Sequence, residues 1–353
     1  MFWNFCVTFH FNRQKQMILT NITSNESGQR FDKYLKKLLK DAPDSFIYKM
    51  LRKKNIILNG KKADGKEILC IHDEVKLFLS DDTFQKFSGN TTSNSSETFP
   101  YEQAYAALKT LEIVYEDEHV LVVNKPSGVL SQKANPADIS VNEWLIGYLL
   151  THKKLTPDSL STFKPSICNR LDRNTSGMVV CGKTLAGSQY MNRIIKDKSL
   201  QKYYYCLVWG TVAINERITG YLYKDTRQNK VTVYKREADI PESRKKEADF
   251  IDTAVHSVRE GKHLTMLEVQ LFTGKTHQIR AHLASIGHPI LGDMKYGDEA
   301  ANRKYVRKGV KNQMLHAHKL VFPVNSEQNF AQLSGKVLEC PPPAIFQKLL
   351  EEE

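Results

Sequence analysis

Hydrophobic positions along this chain fall into three regimes. In the first, GQRFDKYLKKLLKD sets Phe31, Tyr34, Leu35, Leu38 and Leu39 at helical spacing, with lysines between them. That pattern predicts an amphipathic helix. DSFIYKMLRKKN predicts a second helix, ending in the basic cluster Arg52, Lys53 and Lys54. IILNGKKADGKEILCIHDEVKLFL then predicts short strands that turn at NG and DG. In the second regime, from Ser80, the pattern fades into Ser, Thr and Asn, which predicts a flexible linker that leaves the first unit free to swing. The third begins near Leu111, where β-branched and aromatic runs dominate.

LEIVYEDEHVLVVNKP predicts two strands around an acidic turn. GMVVCGKT, KYYYCLVWG, ITGYLYKD, KVTVYKR, HLTMLEVQLF and LHAHKLVFP predict further strands. LAGSQYMNRIIKD predicts a helix, and so does THQIRAHLASIG, with Thr276 as its N-cap and Gly287 as its stop. Many strands with few helices between them imply an α+β fold with a mixed, mainly antiparallel sheet, preceded by a small α/β domain. The expected organisation is an N-terminal extension at 1–20, a small basic domain at 21–80, and a flexible polar linker at 81–108. The main domain follows at 109–330, and a tail at 331–353 packs a short helix on the outside.

Charge adds a partner class. The chain has 353 residues and a formal net charge of +12. Residues 28–80 hold 13 Lys or Arg against 7 Asp or Glu, so half of the excess lies in 53 residues. One basic helix is usually just a solvated face. Two basic helices and a basic sheet are more particular, and an excess of this size points to a polyanion, either nucleic acid or an anionic membrane surface. No apolar run approaches the roughly 18 residues of a membrane span. The start MFWNFCVTFHFNRQKQ lacks a basic leader and a cleavage site, so no signal peptide is expected, and translation could begin at Met1 or Met17. The six cysteines are scattered and form no CxxC pair, as in reduced cytoplasmic proteins.

Several motifs invite wrong readings. Gly177–Thr184 matches the phosphate loop GxxxxGK[ST] letter for letter, yet its middle residues are apolar and β-branched, as in a buried strand. His277 and His282 are spaced off one helix face, and His316 and His318 have no third ligand at a recognisable spacing. Structural histidines, with no metal and no cofactor, are the expectation. The stretch NRLDRNTSG is different in kind. Asp172 sits between Arg170 and Arg173 in a polar turn that feeds a strand. Carboxylates beside arginines are mostly weak surface pairs. Here Leu171 divides the charged group, and the tight turn NTSG fixes the carboxylate. A partly buried carboxylate with a cationic partner stays ionised, the state that a nucleophile or base requires.

NRLDRNTSG and its following strand resemble the HRLDRDTSG motif of the RluA-type pseudouridine synthases. Four further segments resemble that family in the same order: VYEDEHVLVVNKPSGVLS, KYYYCLVWG, TGKTHQIRAHLASIGHPILGDMKYG and LHAHKLVFP. The likeness spans roughly residues 110–323. The basic unit resembles the RNA-binding domain named after ribosomal protein S-four. This resemblance implies an isomerase that needs no cofactor. It detaches uracil from C1′, turns it, and rejoins it through C5, in structured RNA and above all large-subunit (23S) ribosomal RNA.

By the same resemblance, Asp172 is the catalytic carboxylate and Arg280 its distant charge partner. Tyr204 stacks on the target base and assists at C5, and Arg170 displaces that base from its helix. Arg30, Lys33, Arg52, Lys53 and Lys54 are the RNA-binding candidates of the first unit. Asn169, Asn174 and Lys275 depart from the family pattern, which bears on specificity more than on activity. A monomer in the cytoplasm is expected. The competing reading is a non-catalytic RNA-binding or ribosome-assembly factor on the same scaffold, and a nucleotide hydrolase is a distant third.

Overall fold

The computed structural model describes residues 17–88 and 98–352. They divide into two compact units. The first takes the described residues up to Phe99 with Leu149–Lys164 and Thr184–Ala186; its N-terminal part is built from β1 (Met17–Asn21), α1 (Phe31–Leu38), α2 (Asp44–Arg52), β2 (Ile56–Leu58), β3 (Lys61–Lys62), β4 (Glu74–Phe78) and α3 (Asp81–Ser88). Its antiparallel sheet runs β1-β4-β2-β3. Phe31, Tyr34 and Leu35 of α1 and Ile47, Met50 and Leu51 of α2 bury against Val75 and Leu77 of β4, as the helical spacing requires. Asn59 and Gly60 both take positive φ, 49° and 71°, which is what a tight hairpin turn demands.

Two expected boundaries are corrected here. The extension at 1–20 overlaps β1, because Met17 pairs with Phe78 in the sheet. The linker at 81–108 is helical at both ends. In α3, Phe84 and Phe87 pack on the first unit's core, and Phe87 lies 4.5 Å from Phe46, ring centre to ring centre. At the other end α4 (Phe99–Ala107) belongs with the larger unit. Its Tyr105 packs beside Trp144 and Tyr148 of α5 (Val141–Thr151). Gly147 lets the two helices touch, since a Cβ there would sit 2.1 Å from the Tyr101 carbonyl oxygen. A few well-placed aromatics thus override a polar average. Residues 89–97 lie outside the described residues.

The larger unit continues through β5 (Glu112–Glu116), β6 (Val120–Lys125), β7 (Ser166–Ile167), β8 (Ser176–Gly182), α6 (Leu185–Lys196), β9 (Gln201–Trp209), β10 (Asn215–Asp225) and β11 (Lys230–Tyr234). It is completed by α7 (Glu242–Lys245), β12 (Asp249–Glu260), β13 (Leu264–Leu271), α8 (Gln278–Ser285), α9 (Glu299–Val306), β14 (Leu315–Val321), β15 (Val337–Glu339) and α10 (Ala344–Glu351). One sheet takes all eleven strands, along β11-β10-β12-β13-β9-β14-β8-β6-β5, with β15 on β14 and β7 on β8. Among the described residues only the β8–β14 ladder of this sheet is parallel; its other ladders are antiparallel. This is the mixed α+β architecture that the strand-rich pattern implies.

The tail is more integrated than expected. β15 extends the sheet, and α10 buries Phe346, Leu349 and Leu350. Thr276 does not cap α8; the capping position is His277, in the left-handed region at φ 55°. Gly287 does follow the helix end with positive φ. Among the described residues, no helix is long and apolar enough to cross a membrane.

Candidate active site

The larger unit carries a cleft of about 1810 Å³, lined by Asp172, Tyr204, Arg280 and Arg170 among others. Ten Lys or Arg side chains line it against two Asp, so it is strongly electropositive. A concave, positively lined site raises the local concentration of a polyanion.

Asp172 is placed by its own backbone. The turn closes through Thr175 N–H donating to the Asp172 carbonyl at 3.0 Å. On one side of Asp172, the buried Ser131 hydroxyl donates to the Leu171 carbonyl at 2.9 Å and accepts the Leu171 N–H at 3.1 Å. On the other side the Arg173 carbonyl accepts from Gly128 N–H and from the Lys125 ammonium. Lys125 is fully buried and also donates to the Pro126 and Val129 carbonyls. Burial pushes it down to about 7, with the Asp172 charge pulling the other way. Gly177 ends the turn at φ 112°, where a Cβ would lie 2.3 Å from the Ala317 oxygen of the neighbouring strand β14. The turn is therefore clamped to the loop 125–131 and abutted to β14, and its carboxylate has little freedom.

Neither flanking arginine pairs with Asp172. Arg173 Nε donates to the Gly128 carbonyl at 3.0 Å. Arg170 is exposed on the cleft wall and has no ion-pair partner among the described residues. The partner of Asp172 is Arg280, whose Nη1 donates to Oδ2 at 2.8 Å across 108 residues of chain. The other edge of that guanidinium grips Asp293, Nε to Oδ2 at 2.6 Å and Nη2 to Oδ1 at 2.9 Å. Asp293 is entirely buried, and its Oδ1 also accepts the N–H groups of Lys295 and Tyr296. Burial alone would lower the Arg280 guanidinium, but Asp293 and then Asp172 hold it above its ordinary value. The Asp293 carboxyl is held low: Arg280 outweighs the burial that would raise it. Asp293 and Lys125 carried no role in the sequence reading, although both stand in motif segments, GD-x-x-YG and KP-x-G.

Tyr204 lies on β9 opposite Val269 and Ala317, 7% exposed, with its place in the cleft wall. Burial, and then the nearby Asp172, push its hydroxyl well up. It is a neutral phenol at neutral pH. The start of α8 is fixed by buried Gln278, whose amide bonds Thr273, Thr253, Lys275 N–H and the Asp252 carbonyl. The family-departing Asn169 and Lys275 have local work. Asn169 stands in for a strand, accepting from Val180 N–H at 2.7 Å. Lys275 pairs with Asp249, whereas at Asn174 only the main-chain carbonyl is bonded, accepting from the Ser127 hydroxyl, and nothing in the structure explains that departure.

The false phosphate loop resolves as expected. Gly177–Gly182 lies within β8, whose seven residues are all buried. Lys183 donates to Glu116 at 2.7 Å and to the Asp117 carbonyl at 2.5 Å. The histidines are also bonded within the fold: His316 lies between Ser176 Oγ and the Cys340 carbonyl, and His282 against Thr253 Oγ1.

In the first unit Arg30 is already engaged, with its Nε and Nη2 on the two oxygens of buried Asp32. Lys33, Arg52, Lys53 and Lys54 are exposed and without an ion-pair partner among the described residues.

A family model described as RNA pseudouridylate synthase matches residues 119–285, a span that includes Asp172, Tyr204 and Arg280. An uncharacterized RNA pseudouridine synthase of Mycoplasma genitalium is 30% identical over 320 residues, covering 89% of this chain and 92% of that protein. Ribosomal large subunit pseudouridine synthase C of Escherichia coli is 30% identical over 306 residues, 85% of this chain and 87% of that one. The solved human RNA pseudouridylate synthase domain containing 4 shares the fold, with a TM-score of 0.55 and 21% identity over 72% of this chain and 96% of its own. The chain belongs to the RluA-type RNA pseudouridine synthases. It is an isomerase that converts uridine to pseudouridine in RNA.

Proposed function

We propose that the substrate is structured ribosomal RNA of the large subunit, and that Asp172, Arg280 and Tyr204 carry the isomerisation. The observation that bears most weight is the Asp172 carboxylate, anchored on both sides by its backbone and paired with Arg280 inside an electropositive cleft. A stacked, paired uridine is out of reach of such a site, so the base must be swung out. Arg170, exposed on the cleft wall and without an ion-pair partner among the described residues, is the side chain that takes its place in the helix. Asp172 then acts on the displaced nucleotide while Arg280, bonded to its Oδ2, holds it in place. Tyr204 offers a ring face to the uracil and a neutral hydroxyl near C5.

The first unit, read as an RNA-binding domain like that of ribosomal protein S-four, engages the phosphate backbone through Lys33, Arg52, Lys53 and Lys54. Arg30 contributes less, because Asp32 holds it. The enzyme works as a monomer in the cytoplasm.

Pseudouridine mapping at nucleotide resolution, in cells lacking the protein, tests this reading. A defined set of uridines in large-subunit RNA should lose modification and regain it with the wild-type chain but not with Asp172→Asn. Loss confined to transfer RNA would redirect the substrate assignment. Full rescue by Asp172→Asn would remove Asp172 from the chemistry.

A further inference from the structure

One side chain beside Asp172 has no role in the scheme above. His277 directly precedes α8, and its Nε2 stands 4.0 Å from Asp172 Oδ2. That is too long for a hydrogen bond. The residue adopts φ 55° and ψ 18°, a left-handed conformation that few side chains tolerate. Its side chain is only 9% exposed. Burial and the contact of Nδ1 with the Tyr296 hydroxyl hold the ring in place.

The other ring nitrogen identifies the tautomer. His277 Nδ1 lies 2.9 Å from the Tyr296 hydroxyl, and that hydroxyl accepts the backbone N–H of Val231 at 2.9 Å. The hydroxyl has one hydrogen of its own to place. Among the described residues, His277 Nδ1 is the acceptor within reach. Were Nδ1 protonated, two N–H groups would converge on one oxygen and the phenol hydrogen would go unused. The saturated arrangement runs from Val231 N–H to Tyr296 Oη, and from Tyr296 O–H to Nδ1. It leaves the proton of a neutral ring on Nε2, the nitrogen that stands 4.0 Å from Asp172 Oδ2. Tyr296 is itself immobile: it packs against the cluster of Leu222, Val231, Ile251 and Ala281, and the Arg280 guanidinium lies 5.3 Å from its ring centre.

The geometry points to His277 as a positioning residue, a neutral Nε2–H donor that Tyr296 and Val231 orient toward the Asp172 carboxylate. This rests on the reading of Asp172 as the reacting carboxylate. The ring's surroundings favour the uncharged form. Burial lowers its proton affinity, Asp172 opposes that, and Arg280 and Lys295 reinforce it, with Asp293 on the opposing side. A neutral donor can steer the carboxylate without a second full charge. Catalytic hydrogen bonds commonly stand long in the free enzyme and shorten once substrate is bound.

Two substitutions separate position from conformation. Glutamine can present an N–H near the Nε2 position but fits the left-handed backbone poorly. Asparagine fits that backbone well, but its N–H falls near the Nδ1 position. Under this proposal, His277→Gln retains kcat within about fivefold, whereas His277→Asn loses at least about tenfold, with KM little changed in both. If His277 serves only the backbone, the order reverses, with Asn the better substitute, and the proposal is overturned. A second measurement needs no variant at this position. Nitrogen NMR of histidine-labelled wild-type protein should show a pyridine-type Nδ1 and a pyrrole-type Nε2, a preference that Tyr296→Phe abolishes. A pyrrole-type Nδ1 in the wild type would also overturn it. Asp172→Asn run alongside keeps the two claims apart. Activity surviving in that variant sinks the reading of Asp172, while an inactive Asp172→Asn with equal Gln and Asn variants sinks only the role of His277.

Discussion

The two units use positive charge in opposite ways. In the cleft, Arg280 is buried between two carboxylates, one wholly buried and one 28% exposed. Each of its three guanidinium nitrogens donates to a carboxylate. In the first unit, Arg52, Lys53 and Lys54 stand in solvent at the end of α2, above a core that contains no charge of theirs. Buried charge is costly to leave unpaired and acts through geometry. Exposed charge is screened by salt and acts through number. The first arrangement suits chemistry at one atom; the second suits a grip on a phosphate backbone of any sequence. Removal of a single residue should therefore be severe in one unit and mild in the other.

The largest effect is expected at Asp172. Asp172→Asn keeps the size and removes the charge, and it should cut single-turnover tritium release from 5-tritiated uridine by roughly 10³-fold or more, with RNA affinity nearly unchanged. Parallel loss of affinity and rate would mean that the carboxylate serves binding or folding. Next is Asp293→Asn, at a residue that touches no substrate in this scheme. Releasing one edge of Arg280 should cost about 3 kcal/mol of stability. It should also cost about 10²-fold in kcat, because Arg280 then holds Asp172 less firmly. Calorimetry and the same tritium assay read the two. An Asp293→Asn enzyme with normal kcat would show that Asp172 needs only the charge of Arg280, not its orientation.

The first unit should respond otherwise. Replacing Arg52, Lys53 and Lys54 together with alanine should raise KM about tenfold at low salt and leave kcat alone. The slope of log affinity against log salt should shrink by about 2, since each lost phosphate contact contributes about 0.7 to 0.9. Stability should move by less than about 0.5 kcal/mol per site. A fall in kcat instead would erase the contrast, because the first unit would then be shaping the reaction.

How far the sequence foretold this arrangement differs from element to element. Strands rich in Val, Ile and Tyr, such as β8 and β9, were legible because their composition and their burial agree. β12 was not. Its first half buries Asp252 and Thr253, whose side chains are satisfied by Arg217 and by Gln278, both distant in the chain, and a bulge between Ser257 and Arg259 breaks the alternation. The helices α3 and α4 escaped notice for the converse reason: their packing rests on a few aromatics in polar surroundings. In the site, the pairing of Asp172 with Arg280 could be named in advance because ordered motifs carried both. Asp293 stood within one of those motifs, but a carboxylate that faces inward to hold an arginine reads no differently from one that faces water. His277 offered less still, since backbone conformation and tautomer leave no mark on composition.

The mildest test concerns pH and again divides the units. His282 and His316 are buried in the larger unit, and burial pushes each down to about 4 from the ordinary 6.5. Between those values the unfolded chain binds protons that the folded unit refuses. Stability must therefore rise with pH through that window, and it is lost as pH falls from about 6.5 toward about 4. The loss should amount to about 1 to 3 kcal/mol per ring. Below that range these two groups add no further slope. In residues 17–88 the sole histidine is His72, which is exposed. Hydrogen exchange followed by segment should thus show protection falling first in β10, β12 and β14, while β2 and β4 hold. His316→Gln should flatten part of the acid limb. Equal loss of protection in both units would mean that they unfold together, and that the division between buried and exposed charge does not extend to stability.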